Sequence, residues 1–125
     1  MSLQENKSVV QSFYNCYQNE DWVGARRLCS DDYRFYHSID TPMTAAEYFP
    51  HEEENFRAIP GFTISVADMV AEGDKVAAYV IIERQESPKL RVSLLNLLTL
   101  ADGKIIEKRA HYDMRDILQQ LNPSA

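Results

Sequence analysis

The 125-residue sequence is poor in several features that mark common functions. It has four glycines, none grouped, so it holds no Gly-rich phosphate loop. Neither a G-x-S-x-G elbow nor an H-E-x-x-H pair is present, which removes the signatures of α/β-hydrolases and zinc-dependent proteases. The two cysteines, Cys16 and Cys29, lack C-x-x-C spacing and flanking histidines, and both read as reduced thiols at apolar helix positions. His51-Glu52-Glu53-Glu54 suggests a metal at first sight, but consecutive helical residues point in different directions, so the run reads as a charged helix face. No metal and no cofactor is implied. Positive charge is also scarce: 13 Lys and Arg against 19 Asp and Glu leave a net charge of −6. Phosphate backbones would repel such a chain, and the densest basic feature, Arg26-Arg27, is most simply a solvated helix face. Nucleic acid is therefore an unlikely partner by charge. No apolar run approaches the ~20 residues of a bilayer span. The opening Met1-Ser2-Leu3-Gln4-Glu5 runs straight into polar residues, so the expectation is a cytoplasmic protein without a membrane partner.

What is present fits one globular domain over residues 1–125, with 45% hydrophobic and 26% charged residues. Val10, Phe13, Tyr14 and Tyr17 form one apolar stripe at helical spacing across 3–18. Asp21 can cap a second helix that buries Trp22, Ala25, Leu28 and Cys29 and ends near Ser30-Asp31-Asp32. Tyr33 to His37 alternates as a short strand. Thr44 and Glu47 form a capping box for a third helix, which Pro50 should break and restart before Pro60-Gly61 stops it.

After Gly61 the chain reads as an antiparallel meander. Its strands are centred on 62–66, 75–86, 90–100 and 104–113, with turn signals at Glu72-Gly73-Asp74, Ser87-Pro88 and Asp102-Gly103. A closing helix over 114–121 should bury Ile117, Leu118 and Leu121 before Asn122-Pro123. Helices first, then sheet, then a short helix is a segregated α+β order, with the helices on one face of a curved sheet.

Four segments carry a resemblance. Met69 to Ala77 resembles the central hairpin of the polyketide-cyclase-like (SnoaL-like) branch of the nuclear-transport-factor-2-like superfamily. Ala101-Asp102-Gly103-Lys104-Ile105-Ile106-Glu107 resembles its D-G-K-I-x-E hairpin, and Asp113-x-x-x-Ile117-Leu118-x-Gln120-Leu121 its closing D-x-x-x-L-L-x-Q-L. Ala58-Ile59-Pro60-Gly61-Phe62 sits where that family often has F-P-D. The resemblance implies a cone-shaped antiparallel sheet packed on N-terminal helices, a central pocket for a small hydrophobic molecule, and a homodimer. The fold hosts cyclases, isomerases, dehydratases, epoxide hydrolases and domains without known chemistry, so it does not by itself assign a reaction.

The resemblance also places candidate residues. Asp113 matches the aspartate that serves the cyclase branch as general acid/base, although an aspartate before Met114 is equally a favoured helix N-cap. His37 ends the first strand where the ketosteroid-isomerase branch carries its base. His111 lies two residues before Asp113, so Glu107, Arg109, His111 and Asp113 share one strand face. That face is either a pocket wall or an outer stripe backed by Ile106, Ala110 and Tyr112, and a bulge near Arg109 could turn only His111 and Asp113 inward.

Arg109 stands where the branch often has tryptophan, and could bind an anionic substrate or pair with Glu107 or Asp113. The isomerase oxyanion-hole positions fall on Phe13 and Asn96, and phenylalanine cannot donate, which disfavours steroid-isomerase chemistry in that form. Phe13, Tyr17, Phe35, Asn96 and Arg109 are the candidate substrate contacts, with Tyr14, Tyr17, Tyr33, Tyr36 and Tyr48 grouped toward the expected cavity mouth. The functional expectation is acid/base chemistry on a hydrophobic carbonyl compound by Asp113 with His111 or His37. Its alternative is a non-catalytic ligand-binding or dimerisation domain. Leu94, Leu95, Leu97 and Leu98 put apolar residues on both faces of one strand, which suggests dimer contact through the convex face.

Overall fold

A computed structural model describes residues 2–37 and 41–122. Helix α1 (Leu3–Gln18) starts at a complete capping box, in which Ser2 and Glu5 satisfy each other's backbone N–H. Its buried stripe is Val10, Phe13, Tyr14 and Tyr17, as the spacing predicts. Helix α2 (Trp22–Arg27) is capped by Asp21, whose side chain accepts from Gly24 N at 2.9 Å. It is shorter than the sequence suggests. Cys29, expected on that helix, instead opens strand β1 (Cys29–His37), because the far end of the chain captures it. Cys29 pairs with Ile105, and Ile105 N donates to Leu28 O at 2.9 Å.

A two-residue strand β2 (Met43–Thr44) leads into α3 (Ala45–Arg57). The Thr44–Glu47 capping box forms, but the break expected at Pro50 does not, and the helix is continuous. Proline removes one intrahelical donor, the partner of the carbonyl four residues earlier. That carbonyl belongs to Ala46, which is exposed, so water can satisfy it.

Strands β3 (Thr63–Glu72), β4 (Lys75–Arg84), β5 (Leu90–Ala101) and β6 (Lys104–His111) form the expected antiparallel meander. Their turns use Gly73 and Asp102-Gly103, all with positive φ. The pairing of β1 with β6 is parallel, so the six-stranded sheet runs β2-β1-β6-β5-β4-β3. The sheet is curved and unclosed, with α1 packed across β3 and β4 and α3 against β1. Strand β6 stops at His111, leaving Tyr112 and Asp113 in the connection to α4 (Met114–Leu121).

Helix α4 departs from expectation. Ile117 is half-buried, but Leu118 and Leu121 are 58% and 41% exposed rather than buried. The helix is instead tied by a polar clasp: Gln120 accepts from Arg91 N at 2.7 Å and donates to Arg91 O at 2.8 Å. Pro123, expected to end it, lies outside the described residues.

Pro50→Ala restores one helical hydrogen bond at an exposed position. It is expected to stabilise the protein by about 1–3 kcal/mol in urea unfolding. No gain in the unfolding midpoint would mean that the proline ring carries packing unrelated to the helix backbone.

Candidate functional site

The concave side of the sheet is filled by one group of side chains. Phe13, Tyr14, Tyr17, Tyr33 and Tyr48 are each 2% exposed or less, and among them sits Lys108, 4% exposed. Lys108 lies on β6 beside Phe35 of β1 and Leu98 of β5. A β-bulge puts it there. Leu100 pairs with Ile105 and Thr99 with Glu107, so Ile106 is the extra residue, and beyond it Lys108 and Ala110 face inward.

The Lys108 ammonium is surrounded by rings. Its Nζ is 5.3 Å from the centroids of Phe13 and Tyr17 and 5.5 Å from those of Tyr14, Phe35 and Tyr48. Such faces attract a cation, more so where water is excluded. Its hydrogen-bond partner is the Tyr48 hydroxyl at 3.0 Å. Tyr48 in turn donates to Glu52 Oε1 at 2.9 Å, Tyr17 donates to the same oxygen at 3.2 Å, and the two hydroxyls touch each other. Glu52 is half-buried, one helical turn after Tyr48 on α3, so the chain Lys108–Tyr48–Glu52 runs from the core toward the surface.

Burial governs the protonation of this group. It pushes the Lys108 ammonium below its ordinary 10.5, opposed by the negative charge of Glu52. It pushes the hydroxyls of Tyr14, Tyr17, Tyr33 and Tyr48 upward, which keeps them neutral donors. Asn96 completes the site by donating from Nδ2 to the Tyr14 hydroxyl at 2.6 Å. Among the described residues, three buried polar atoms have no hydrogen-bond partner: Ser30 Oγ and, in this site, Tyr33 Oη and Asn96 Oδ1.

Of the residues expected at a site, Phe13, Tyr17, Phe35 and Asn96 are gathered around Lys108 or its neighbours. The others are not. Asp113 is exposed and caps α4, accepting from Arg115 N at 3.0 Å and Asp116 N at 3.2 Å. His111 is exposed and pairs across the sheet with Leu95, itself 56% exposed, so it belongs to the outer face. His37 is exposed at the end of β1, with Nε2 against the Tyr112 hydroxyl. Arg109 also faces outward, 4.0 Å from the Tyr36 ring and 3.2 Å from Glu107.

The expected bulge near Arg109 is real but falls at Ile106, and its effect is to turn Lys108 inward, not His111 and Asp113. Lys108 escapes a reading by pattern because it stands inside Glu107-Lys108-Arg109, a run that looks solvent-facing. The available signal is parity: Lys108 shares its strand face with Ala110, which the outer-stripe reading of β6 turns toward the core.

Between α2 and α3 lies a groove of about 750 Å³. Trp22 and Phe49 line it, and they pack beneath it on Tyr17 and Tyr48, each with ring centroids 4.9 Å apart. The groove is thus one aromatic layer from the hydroxyls that hold Lys108.

The sequence profile of the SnoaL-like polyketide cyclase family matches residues 7–121. The chain belongs to that family. Solved structures agree on the fold. AclR of Streptomyces galilaeus, provisionally a hydroxylase, is 22% identical with a TM-score of 0.87, covering 99% of this chain and 100% of its own. IdmH of Streptomyces antibioticus, provisionally a polyketide cyclase, is 21% identical with a TM-score of 0.77 over 93% and 97% of the two chains. A LEH-like epoxide hydrolase of M. tuberculosis is 20% identical with a TM-score of 0.74 over 95% and 90%. At these identities the likeness shows the fold alone. A search of curated proteins found no match. For this SnoaL-like chain, chemistry must therefore be argued from its own side chains.

Lys108→Met replaces a desolvated charge by an apolar chain of similar length. It is expected to leave stability unchanged or to raise it, by up to about 1–4 kcal/mol near neutral pH. Because the folded-state pKa of Lys108 is depressed, the unfolded chain binds the extra proton. The wild type should therefore gain on the Met variant as pH rises toward 10.5. Thermal unfolding of both proteins from pH 6 to pH 10 checks the sign. A Met variant that loses more than about 2 kcal/mol would mean that the ammonium holds the core together.

Proposed function

We propose that this SnoaL-like protein binds a small hydrophobic carbonyl compound and moves a proton at the carbon beside the carbonyl, as a cyclase, isomerase or dehydratase of this fold would. The observation that carries the reading is the buried Lys108–Tyr48–Glu52 chain. A neutral phenol between a cation and a carboxylate can donate to a carbonyl oxygen as negative charge develops there, while the carboxylate receives a proton. The family match and the solved relatives, two of them provisionally or directly named for small-molecule chemistry, support the class of activity. The surrounding rings of Phe13, Phe35 and Tyr14 suit a planar apolar substrate. In this reading Asp113 and His111 serve the helix cap and the outer face.

One observation favours an assembly role as well. Val70, Tyr79, Leu95 and Leu97 are 65%, 42%, 56% and 37% exposed, and they neighbour one another across β3, β4 and β5. An apolar stripe on a sheet face is a natural homodimer contact. The second reading, a binding or dimerisation domain without catalysis, rests on this stripe and on the close-packed interior.

Two experiments test these readings. Ethyl benzoylacetate and 2-indanone in D2O should lose their acidic C–H signal faster with the protein than in buffer, and Tyr48→Phe should slow that loss by about 10²-fold or more. Exchange at the buffer rate with the wild type would leave the non-catalytic reading standing. Loss of exchange in Asp113→Asn, with Tyr48→Phe active, would return the chemistry to the position that the family resemblance marks. For assembly, sedimentation should give a dimer at micromolar concentration and a monomer for Leu95→Glu. A monomeric wild type would remove the dimer.

A further inference from the structure

The Lys108 side chain offers more than a charge. An amine in an apolar, water-excluded site is a nucleophile when it is unprotonated, and carbonyl compounds are the electrophiles it captures. We propose that Lys108 forms an imine with the carbonyl group of the ligand, so that carbonyl activation in this protein is covalent. This rests on the proton-transfer reading for its substrate class and deepens it by naming the nucleophile.

Three independent observations carry the inference. First, Lys108 is 4% exposed and its Nζ, which can use three donors when charged, has the Tyr48 hydroxyl as its protein partner among the described residues. A neutral amine needs fewer partners and keeps a lone pair for attack. The ionisable groups around it are Tyr14 and Tyr17 of α1, Cys29 and Tyr33 of β1, and Tyr48 and Glu52 of α3. Glu52 is the main group opposing desolvation, ahead of Cys29, and it reaches Lys108 through Tyr48. Second, Tyr33 Oη and Asn96 Oδ1 are fully buried in the same aromatic group yet lack partners, which is where a ligand's hydroxyl or carbonyl would bond. Third, the α2–α3 groove ends on Phe49, which packs on both Tyr33 and Tyr48, with centroids 5.9 and 4.9 Å away. Phe49 therefore separates the groove from Tyr48, whose hydroxyl is bonded to the amine.

The step balances with groups already present. The Nζ lone pair adds to the carbonyl carbon, and the carbonyl π pair moves to oxygen, which takes a proton from Tyr48. The positively charged nitrogen returns one of its protons to the Tyr48 oxygen. The resulting carbinolamine loses its hydroxyl as water, again protonated through Tyr48, and the C=N bond forms. The net change is amine plus carbonyl to imine plus water. Protonated imine withdraws electrons from the adjacent carbon, whose proton passes through Tyr48 to Glu52 to give an enamine. Reprotonation and hydrolysis restore the amine and the ligand.

The test uses the intact protein with propanal and sodium cyanoborohydride, which fixes an imine as a stable N-propyl lysine. Peptide mass spectrometry then compares Lys108 with Lys7, Lys75, Lys89 and Lys104. At neutral pH Lys108 should be modified faster than each of the other four, since a lowered pKa leaves more of the amine unprotonated. Phe49→Ala should accelerate labelling at Lys108 and not elsewhere. Modification confined to the other four lysines overturns the proposal, and this readout needs no variant to fold. Carbon-acid exchange separates the two readings. Exchange that survives in Lys108→Arg, with no adduct at Lys108, leaves proton transfer standing and removes the imine. An adduct at Lys108 in a protein without exchange keeps the nucleophile and removes the proton-transfer reading.

Discussion

The interior of this protein is arranged around one desolvated amine. Lys108 has five aromatic faces at 5.3 to 5.5 Å and one hydroxyl at 3.0 Å. Cation–π attraction in a dry site contributes about 2 kcal/mol or more, whereas the penalty for removing an ion from water is several kcal/mol even after relaxation. The aromatic surroundings reduce that penalty without cancelling it. This explains why burial is the largest influence on its proton and why Glu52, placed one hydroxyl away, opposes it.

The geometry that creates this site is set by strand register. A single extra residue at Ile106 decides which of two alternating sets on β6 faces the helices. With the bulge in place, Ile105, Lys108 and Ala110 are buried, while Glu107, Arg109 and His111 belong to the other side. The outward set then meets Tyr36, Leu95 and Leu97, so one face carries an apolar core with a few buried polar groups and the other an apolar and charged stripe. The usual division of an antiparallel sheet, apolar inward and polar outward, is partly inverted here. That inversion is why both faces invite functional readings, the inner one chemical and the outer one associative.

Much of the fold was legible from local signals. The capping box at Thr44 and the meander turns at Gly73 and Asp102-Gly103 act over a few residues, and the structure uses them. Long-range effects were not legible. Cys29 looked helical until Ile105 paired with it, and α3 continued through Pro50 because an exposed carbonyl costs little. For the site, the helical stripe on α1 put Phe13 and Tyr17 on one face and the family resemblance marked Phe13 and Asn96, and all three lie with Phe35 around Lys108 or its neighbours. Lys108 was hidden for a physical reason. Sequence patterns treat a lysine between a glutamate and an arginine as solvent-facing, since burying one is costly. Only the pairing of three strands reveals that this lysine faces the core.

The same cost bears on function. A methionine at this position would fill the space without desolvating a charge, so packing alone gives no reason for an amine there. Nor does the amine complete a conventional ion pair, because Tyr48 stands between it and Glu52. What the arrangement does provide is a path: a proton leaving Lys108 passes to a phenol that is held neutral, and then to a carboxylate at the edge of the core beside the α2–α3 groove. A group that is destabilising as a cation and connected to solvent by a single relay is poised to be used as a neutral base or nucleophile. Asp113, by contrast, accepts from two α4 backbone N–H groups as the helix cap and is open to water. Within this fold, reactivity follows desolvation, and desolvation selects Lys108.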